Sequence, residues 1–247
     1  MVNKPPETGE NHEEKLSRTL VELADTLVHD FDVVTFLQML SDRCVDLFSL
    51  ESAGVMLHDQ RDSLQVIASS DERGRTLELM ELQNQEGPCL DAFRNSQPVQ
   101  AGPSDAAARW PAFATHAMSA GYQSFAAMPL RLRDQTIGAL NMFGTRSVLL
   151  DDREIGNAQA LADVATIGLL NERMLRESRL VAEQLQRALT SRVVIEQAKG
   201  ILAVRLRCTV DEGFLVMRTY ARNRNLRLGD IARQVVEGEL APSDLKP

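Results

Sequence analysis

A chain of 247 residues with 44% hydrophobic and 25% charged side chains suits one sizeable domain plus a smaller one, and excludes disorder as its default state. Its formal net charge of −8 hides a reversal: residues 191–237 hold nine basic and five acidic side chains, a balance of +4 that leaves −12 for the remainder. One basic surface on an acidic chain points to a polyanionic partner, and with one Trp, two Tyr and eight Phe that contact leans on Arg, Lys and Asn rather than on rows of stacking rings.

Residues 1–14 are polar and acidic with two prolines, and read as a disordered tail without the basic start and apolar stretch of a signal peptide. From Lys15 to Val28, Leu16, Leu20, Leu23, Ala24 and Leu27 form one helical stripe. Asp32 is placed to cap a second helix with Phe36, Leu37, Leu40, Cys44 and Leu47 inward. The period then changes. Ala53–Leu57 and Leu64–Ala68 are strand-like runs around a polar turn, which predicts a hairpin.

A helix is expected to start near Pro88, followed by a short edge strand at Gln97–Gln100, whose proline cannot donate to a ladder. Phe125–Leu132 and Thr136–Phe143 flank Arg133-Asp134-Gln135, and Gly138-Ala139-Leu140-Asn141-Met142 is apolar enough for a central strand. Asp151 or Asp152 opens a long helix with Ala158, Leu161, Ala162, Ala165 and Ile167 toward a core. Between Leu169 and Lys199 there is neither Gly nor Pro. Leu170, Met174, Val181, Leu185 and Ala188 fall near a heptad seam that Glu177 and Ser178 interrupt, so this stretch reads as a short, imperfect coiled coil or as a helix docked on its own domain. No apolar run approaches the roughly 20 residues of a membrane helix. The odd, widely spaced cysteines Cys44, Cys89 and Cys208 argue for a reducing compartment, and the expected location is cytoplasmic.

Beyond Gly200 the helix is expected to end after Leu206, and Thr209-Val210-Asp211-Glu212 has the capping-box form. Phe214, Leu215 and Met217–Ala221 give the next buried face. Asn225 then suits the cap of a third helix carrying Leu228, Ile231, Ala232, Val235 and Val236 at helical spacing. Arg192 and Lys199, seven residues apart, share a helix face. Arg218, Arg222, Arg224 and Arg227 supply charge for phosphates, while Asn223 or Asn225 offers an amide to an unpaired base edge; the plainer reading is solvated arginines and a capping Asn225. Cys89, at a Pro-Cys helix start, is either a low-pKa sensor thiol or a small residue in a pocket wall. The four histidines show no metal-ligand spacing, and no P-loop, nucleophile elbow or HExxH helix is present.

Ser191-Arg192-Val193-Val194-Ile195-Glu196-Gln197-Ala198-Lys199-Gly200-Ile201-Leu202, Asp211-Glu212-Gly213-Phe214, Arg218-x-Tyr220-Ala221-Arg222-Asn223-x-Asn225 and Leu228-x-Asp230-Ile231-Ala232 together resemble the ANTAR domain. The middle of the chain, with Gly87-Pro88-Cys89-Leu90-Asp91-Ala92, Pro129-Leu130 and Gly138-Ala139-Leu140-Asn141, is similar to the GAF sensory domain. The resemblance implies a transcription antitermination regulator, typically a dimer, whose RNA-binding output module holds a nascent transcript in a paired stem-loop form. Two departures stand out: the family commonly has glycine at Arg207 and alanine at Gly213.

The expected fold class is α+β: a GAF-like antiparallel sheet with flanking helices, then a long connecting helix and an all-α three-helix ANTAR bundle. The expected division is a tail at 1–14, a GAF-like sensor at 15–172, a helical linker at 173–190, an RNA-binding module at 191–240 and a tail at 241–247. The RNA-binding candidates are Arg192, Lys199, Arg218, Arg222, Asn223, Arg224, Asn225 and Arg227, and Cys89 marks a candidate sensor pocket. The expected partners are structured RNA, a second copy of the chain and a small-molecule ligand in the sensor; the sequence identifies no cofactor and no metal site. A DNA-binding transcription factor and a GAF-fold small-molecule enzyme are the competing readings.

Overall fold

The computed structural model describes residues 12–27, 31–59 and 63–245, which divide into two compact units, one up to Arg173 and one from Met174. In the first unit, α1 (His12–Thr26) begins three residues ahead of its expected start, and Val28 lies outside the described residues. Helix α2 (Val33–Phe48) starts as the sequence predicts: Asp32 accepts from the Thr35 backbone N–H at 2.8 Å, which holds its carboxyl below the usual range. Phe36, Leu37, Leu40, Cys44 and Leu47 are buried.

Strands β1 (Ser52–His58) and β2 (Leu64–Ser69) form the expected hairpin. Next come α3 (Glu72–Asn84), α4 (Pro88–Asn95), β3 (Val99–Ala101), α5 (Pro103–Arg109) and α6 (Pro111–Ser119). Strands β4 (Ser124–Leu132) and β5 (Gln135–Gly144) complete a five-stranded antiparallel sheet in the order β2-β1-β5-β4-β3. β5 is the central strand and β3 an edge, as the sequence indicates.

Successive side chains on a strand face opposite ways, so this sheet supports two cores. Ala126, Met128 and Leu130 of β4 and Leu140 and Met142 of β5 pack with α1, α2 and the start of α7 (Asp152–Leu206). On the other face Phe125, Ala127, Ala139 and Phe143 meet α3 to α6, where Phe113 makes edge contacts with Trp110 and Phe125. The expected α+β class with flanking helices is the observed one. In α7, Ala158, Leu161, Ala162 and Ala165 are buried, but Ile167 is 45% exposed. At about 100° per residue, a side chain two positions past Ala165 points nearly opposite to it.

The second unit contains the later part of α7, which continues unbroken through Gly200 to Leu206. Residues 173–187 are all exposed. Helix α8 (Val210–Asn223) opens with a complete capping box: Thr209 accepts from the Glu212 N–H at 3.2 Å, and Glu212 accepts from the Thr209 N–H at 2.8 Å. Helix α9 (Leu228–Glu237) and a 3-10 turn (Pro242–Leu245) close the bundle around Ala198, Leu202, Met217, Ala221, Ile231, Ala232 and Val235. Leu215 is 60% exposed instead of buried, because Gly213, Met217 and Ala221 define the inward face and Leu215 lies two residues off it.

Asn225 does not cap α9. It sits at φ 54° in the left-handed region, ending the α8 turn, and Arg227 takes the N-cap position with no side-chain cap bond. Asn tolerates that conformation better than most residues, so the turn and not the cap accounts for it. Both departures from the family pattern acquire a physical meaning. Arg207 is held at φ 54°, where glycine carries no Cβ penalty. At Gly213, a Cβ would come 3.2 Å from Leu202 Cβ and 3.4 Å from the Lys199 carbonyl, so its absence lets α8 lie close against α7. Arg207→Gly is therefore expected to stabilise the second unit by roughly 0.5–1 kcal/mol. Chemical denaturation followed by far-UV circular dichroism measures it, and a loss of stability would contradict the left-handed turn.

Candidate functional site

The α8–α9 turn gathers charge because its residues are consecutive and the chain reverses there. Arg222, Asn223, Arg224, Asn225 and Arg227 are all exposed, with Arg218 one helical turn earlier on the Arg222 face of α8. The turn is tightly held: Asn225 N–H donates to the Arg222 carbonyl at 3.2 Å and Leu226 N–H to the Ala221 carbonyl at 2.9 Å. Arg218, Arg222 and Arg227 join no ion pair among the described residues. Arg224 differs: its guanidinium lies 4.2 Å from the Tyr220 ring centroid and donates to the Tyr220 hydroxyl, which fixes its plane.

Arg192 is exposed on α7. A Cβ on Gly229 would lie 2.7 Å from Ser191 Oγ, so the start of α9, beside Arg227, approaches the α7 turn that carries Arg192. Lys199, on the same helix as Arg192, is half-buried. Its side chain is only 15% exposed, pairs with Glu196 at 3.0 Å and places Nζ 5.5 Å from the Phe214 ring, so it serves the α7–α8 packing. Ala198 is fully buried, in keeping with a packing role.

The first unit holds a second concentration of polar atoms, which the sequence did not signal. Glu78 and Glu81, one turn apart on α3, are both fully buried beside Asn141 of β5. Glu81 Oε1 accepts from the backbone N–H groups of Cys89 at 2.6 Å and Leu90 at 3.3 Å, while Asn141 Nδ2 donates to Glu81 Oε2 at 3.1 Å. Helix α4 has Gly87 at its N-cap and no side-chain cap of its own, so Glu81 acts as the cap from a neighbouring helix. Gly87, at φ 148°, is required twice over, since a Cβ there would also lie 2.4 Å from Glu81 Oε1. Gly54 on β1 makes equivalent room, because its Cβ would come 2.4 Å from Glu78 Oε1.

Burial, reinforced by the neighbouring Glu81, raises Glu78 well above the ordinary carboxylate range. Burial also lifts Glu81 to about 8, outweighing its three donors. Cys89 occupies the first turn of α4, where the helix N-terminus would favour a thiolate. Burial and the nearby Glu81 and Glu78 push it the other way, well above the ordinary thiol value, and its Sγ lies 4.0 Å from the Ala139 carbonyl. It is a buried residue at the carboxylate cluster. Cys44, in the opposite core, is pushed up to about 12 by burial. No metal-holding group of three or more His, Cys, Asp or Glu occurs among the described residues, and none of their helices is long and apolar enough to cross a membrane.

A family model described as the GAF domain matches residues 32–170, and one described as the ANTAR domain matches residues 183–236. No curated protein matches the chain. Among solved structures, the GAF domain from a phosphoenolpyruvate-protein phosphotransferase of Coxiella burnetii is similar at 14% identity and TM-score 0.55, covering 68% of this chain and 99% of that one. Free methionine-R-sulfoxide reductase from Neisseria meningitidis is similar at 18% identity and TM-score 0.52, over 71% of this chain and 98% of its own. At these identities the likeness concerns the fold of the first unit alone.

Proposed function

Because the chain belongs to the GAF domain family and carries an ANTAR domain behind it, in a GAF-ANTAR architecture, we propose that it is a transcription antitermination regulator. In this reading the sheet unit, 15–172, is a sensor for a small molecule. Residues 173–190 are a helical linker, and 191–240 bind paired stem-loops in nascent transcripts. The observation that carries it is the reversal of charge confined to one bundle, with Arg222, Arg224 and Arg227 exposed in a single turn beside two exposed asparagine amides. Arginine at a turn meets phosphate, and the amides reach the edges of bases that a loop leaves unpaired. The buried, raised Cys89 thiol favours this reading over thiol chemistry in the sensor.

Selection from a pool of RNAs with two consecutive stem-loops and randomised loops, followed by binding over a salt series against duplex DNA, tests it. The expected result is enrichment of loop sequences and RNA bound in preference to DNA. A preference for duplex DNA would move the protein to the DNA-binding class, and equal binding to every polymer with only a steep salt slope would reduce it to charge attraction. Arg222→Ala and Arg227→Ala are each expected to weaken binding to all loops and lower the salt slope by about 1.

The same reading makes the protein a homodimer. Met174, Val181 and Leu185 are 59%, 55% and 61% exposed on α7, and a second copy gives such a stripe somewhere to be buried. The cytoplasm, where transcripts emerge, is its proposed location.

A further inference from the structure

Between α8 and the 3-10 turn at Pro242–Leu245 lies a groove of about 340 Å³. Its floor is apolar, with Val216 half-buried and Leu245 only 3% exposed, and Leu215 forms a wall at 60% exposure. Nothing in the folding of the bundle calls for Leu215 to be apolar, since it faces away from the core that Met217 and Ala221 fill. The rim is polar, with Thr219, Asn223 and Arg224 on the α8 side and Asp244 on the side of the 3-10 turn. Asn223 and Arg224 belong both to the groove and to the exposed α8–α9 turn, so the two surfaces are continuous.

We propose that this groove receives one unstacked nucleobase from the loop of a bound RNA. The inference rests on the RNA-binding reading above and adds to it a defined receptor. The volume lies at the low end of the roughly 300–1,000 Å³ of small-molecule pockets, room for one base and too little for a base pair. The guanidinium of Arg224, held over the Tyr220 ring and tied to its hydroxyl, offers its other side as a stacking surface. Asn223 supplies one donor and one acceptor for the base edge, and the Leu215 wall covers the base face that leaves water. Arg222 and Arg227 take the phosphates on either side. One base entering one pocket also fits a chain too poor in aromatic residues for a row of stacked rings.

The test uses the full-length protein and an RNA recovered from the randomised-loop pool, with each loop nucleotide replaced in turn by an abasic sugar. In the native protein one loop position is expected to lose about tenfold in affinity on losing its base. Arg224→Lys keeps the charge but removes the planar face, and Leu215→Ser removes the wall at an exposed position. Each is expected to bind the intact RNA about tenfold more weakly, with an unchanged salt slope, and to be indifferent to the abasic substitution. If every abasic position costs the variants as much as the native protein, the groove is not the receptor, while RNA binding itself stands. If no RNA with defined loops is recovered, the functional reading fails first and this inference with it. Far-UV circular dichroism confirms that the variants remain folded.

Discussion

Gly138→Ala is expected to destabilise the sheet unit by about 3 kcal/mol or more, the largest single-residue effect foreseen for this protein. Gly138 lies on the central strand, opposite Leu57 of β1 and Leu130 of β4. A Cβ there would sit 2.1 Å from the Met56 carbonyl oxygen and 2.9 Å from Leu57 Cδ2. The first of these is backbone, so no rotamer relieves it and β1 must separate from β5. At roughly 2–4 °C per kcal/mol for a unit of this size, the melting temperature should fall by about 6–12 °C. The chain's single tryptophan, Trp110, is 3% exposed within this unit, so its fluorescence follows the transition without interference from the helical bundle. Gly156→Ala is the control: its Cβ meets nothing, and helix α7 should gain about 0.5–1 kcal/mol. An unchanged midpoint for Gly138→Ala would mean that the β1–β5 register is wrong.

The second large effect is on pH dependence, through Glu78 and Glu81. In the unfolded chain both carboxyls titrate near the ordinary glutamate value of about 4.3. In the folded unit Glu78 stands well above that value and Glu81 reaches about 8. Between those limits the unfolded chain has released protons that the folded unit retains, so stability falls as pH rises, by up to about 1.4 kcal/mol per pH unit for each group. From pH 6 to 8 Glu81 alone should remove on the order of 2 kcal/mol. The surroundings act on the pair in both directions: Arg75 lowers Glu78, while Asp91 raises Glu81.

Glu81→Gln should flatten the profile measured by Trp110 fluorescence. Its carbonyl oxygen still accepts from Cys89 and Leu90. Asn141, whose Oδ1 has no partner among the described residues, can turn its amide to accept from the new NH₂ group. An equal slope in both proteins would show that Glu81 ionises in the fold as readily as in water.

The elements legible in the sequence are those whose buried residues are apolar, in a continuous run or a regular stripe. The β1–β2 hairpin, the central β5 and the α2 stripe are of this kind. Helix α3 escaped because two of its buried positions are glutamates, Glu78 and Glu81, and a third is Gly74, so its inward face reads as the solvated one. Helices α5 and α6 are seven and nine residues long, too short for a period to show. Among the site residues, the cluster from Arg222 to Arg227 was readable because it is local. The half-buried setting of Lys199 was not, since its contacts include Phe214 on another helix. The groove beside Arg224 was hidden too, because one wall is the 3-10 turn that falls where the sequence suggests only a tail.

Glu81 has a counterpart in Glu86, which accepts from the backbone N–H groups of Ala112 at 2.5 Å and Phe113 at 2.9 Å and so caps α6, another helix without a side-chain cap of its own. Helices of eight or nine residues do not persist alone in water, and these two reach their terminal acceptors only across a tertiary contact. The starts of α4 and α6 are therefore satisfied only while α3 and the residues following it stay packed beside them, so local opening of α3 is expected to release both helices with it.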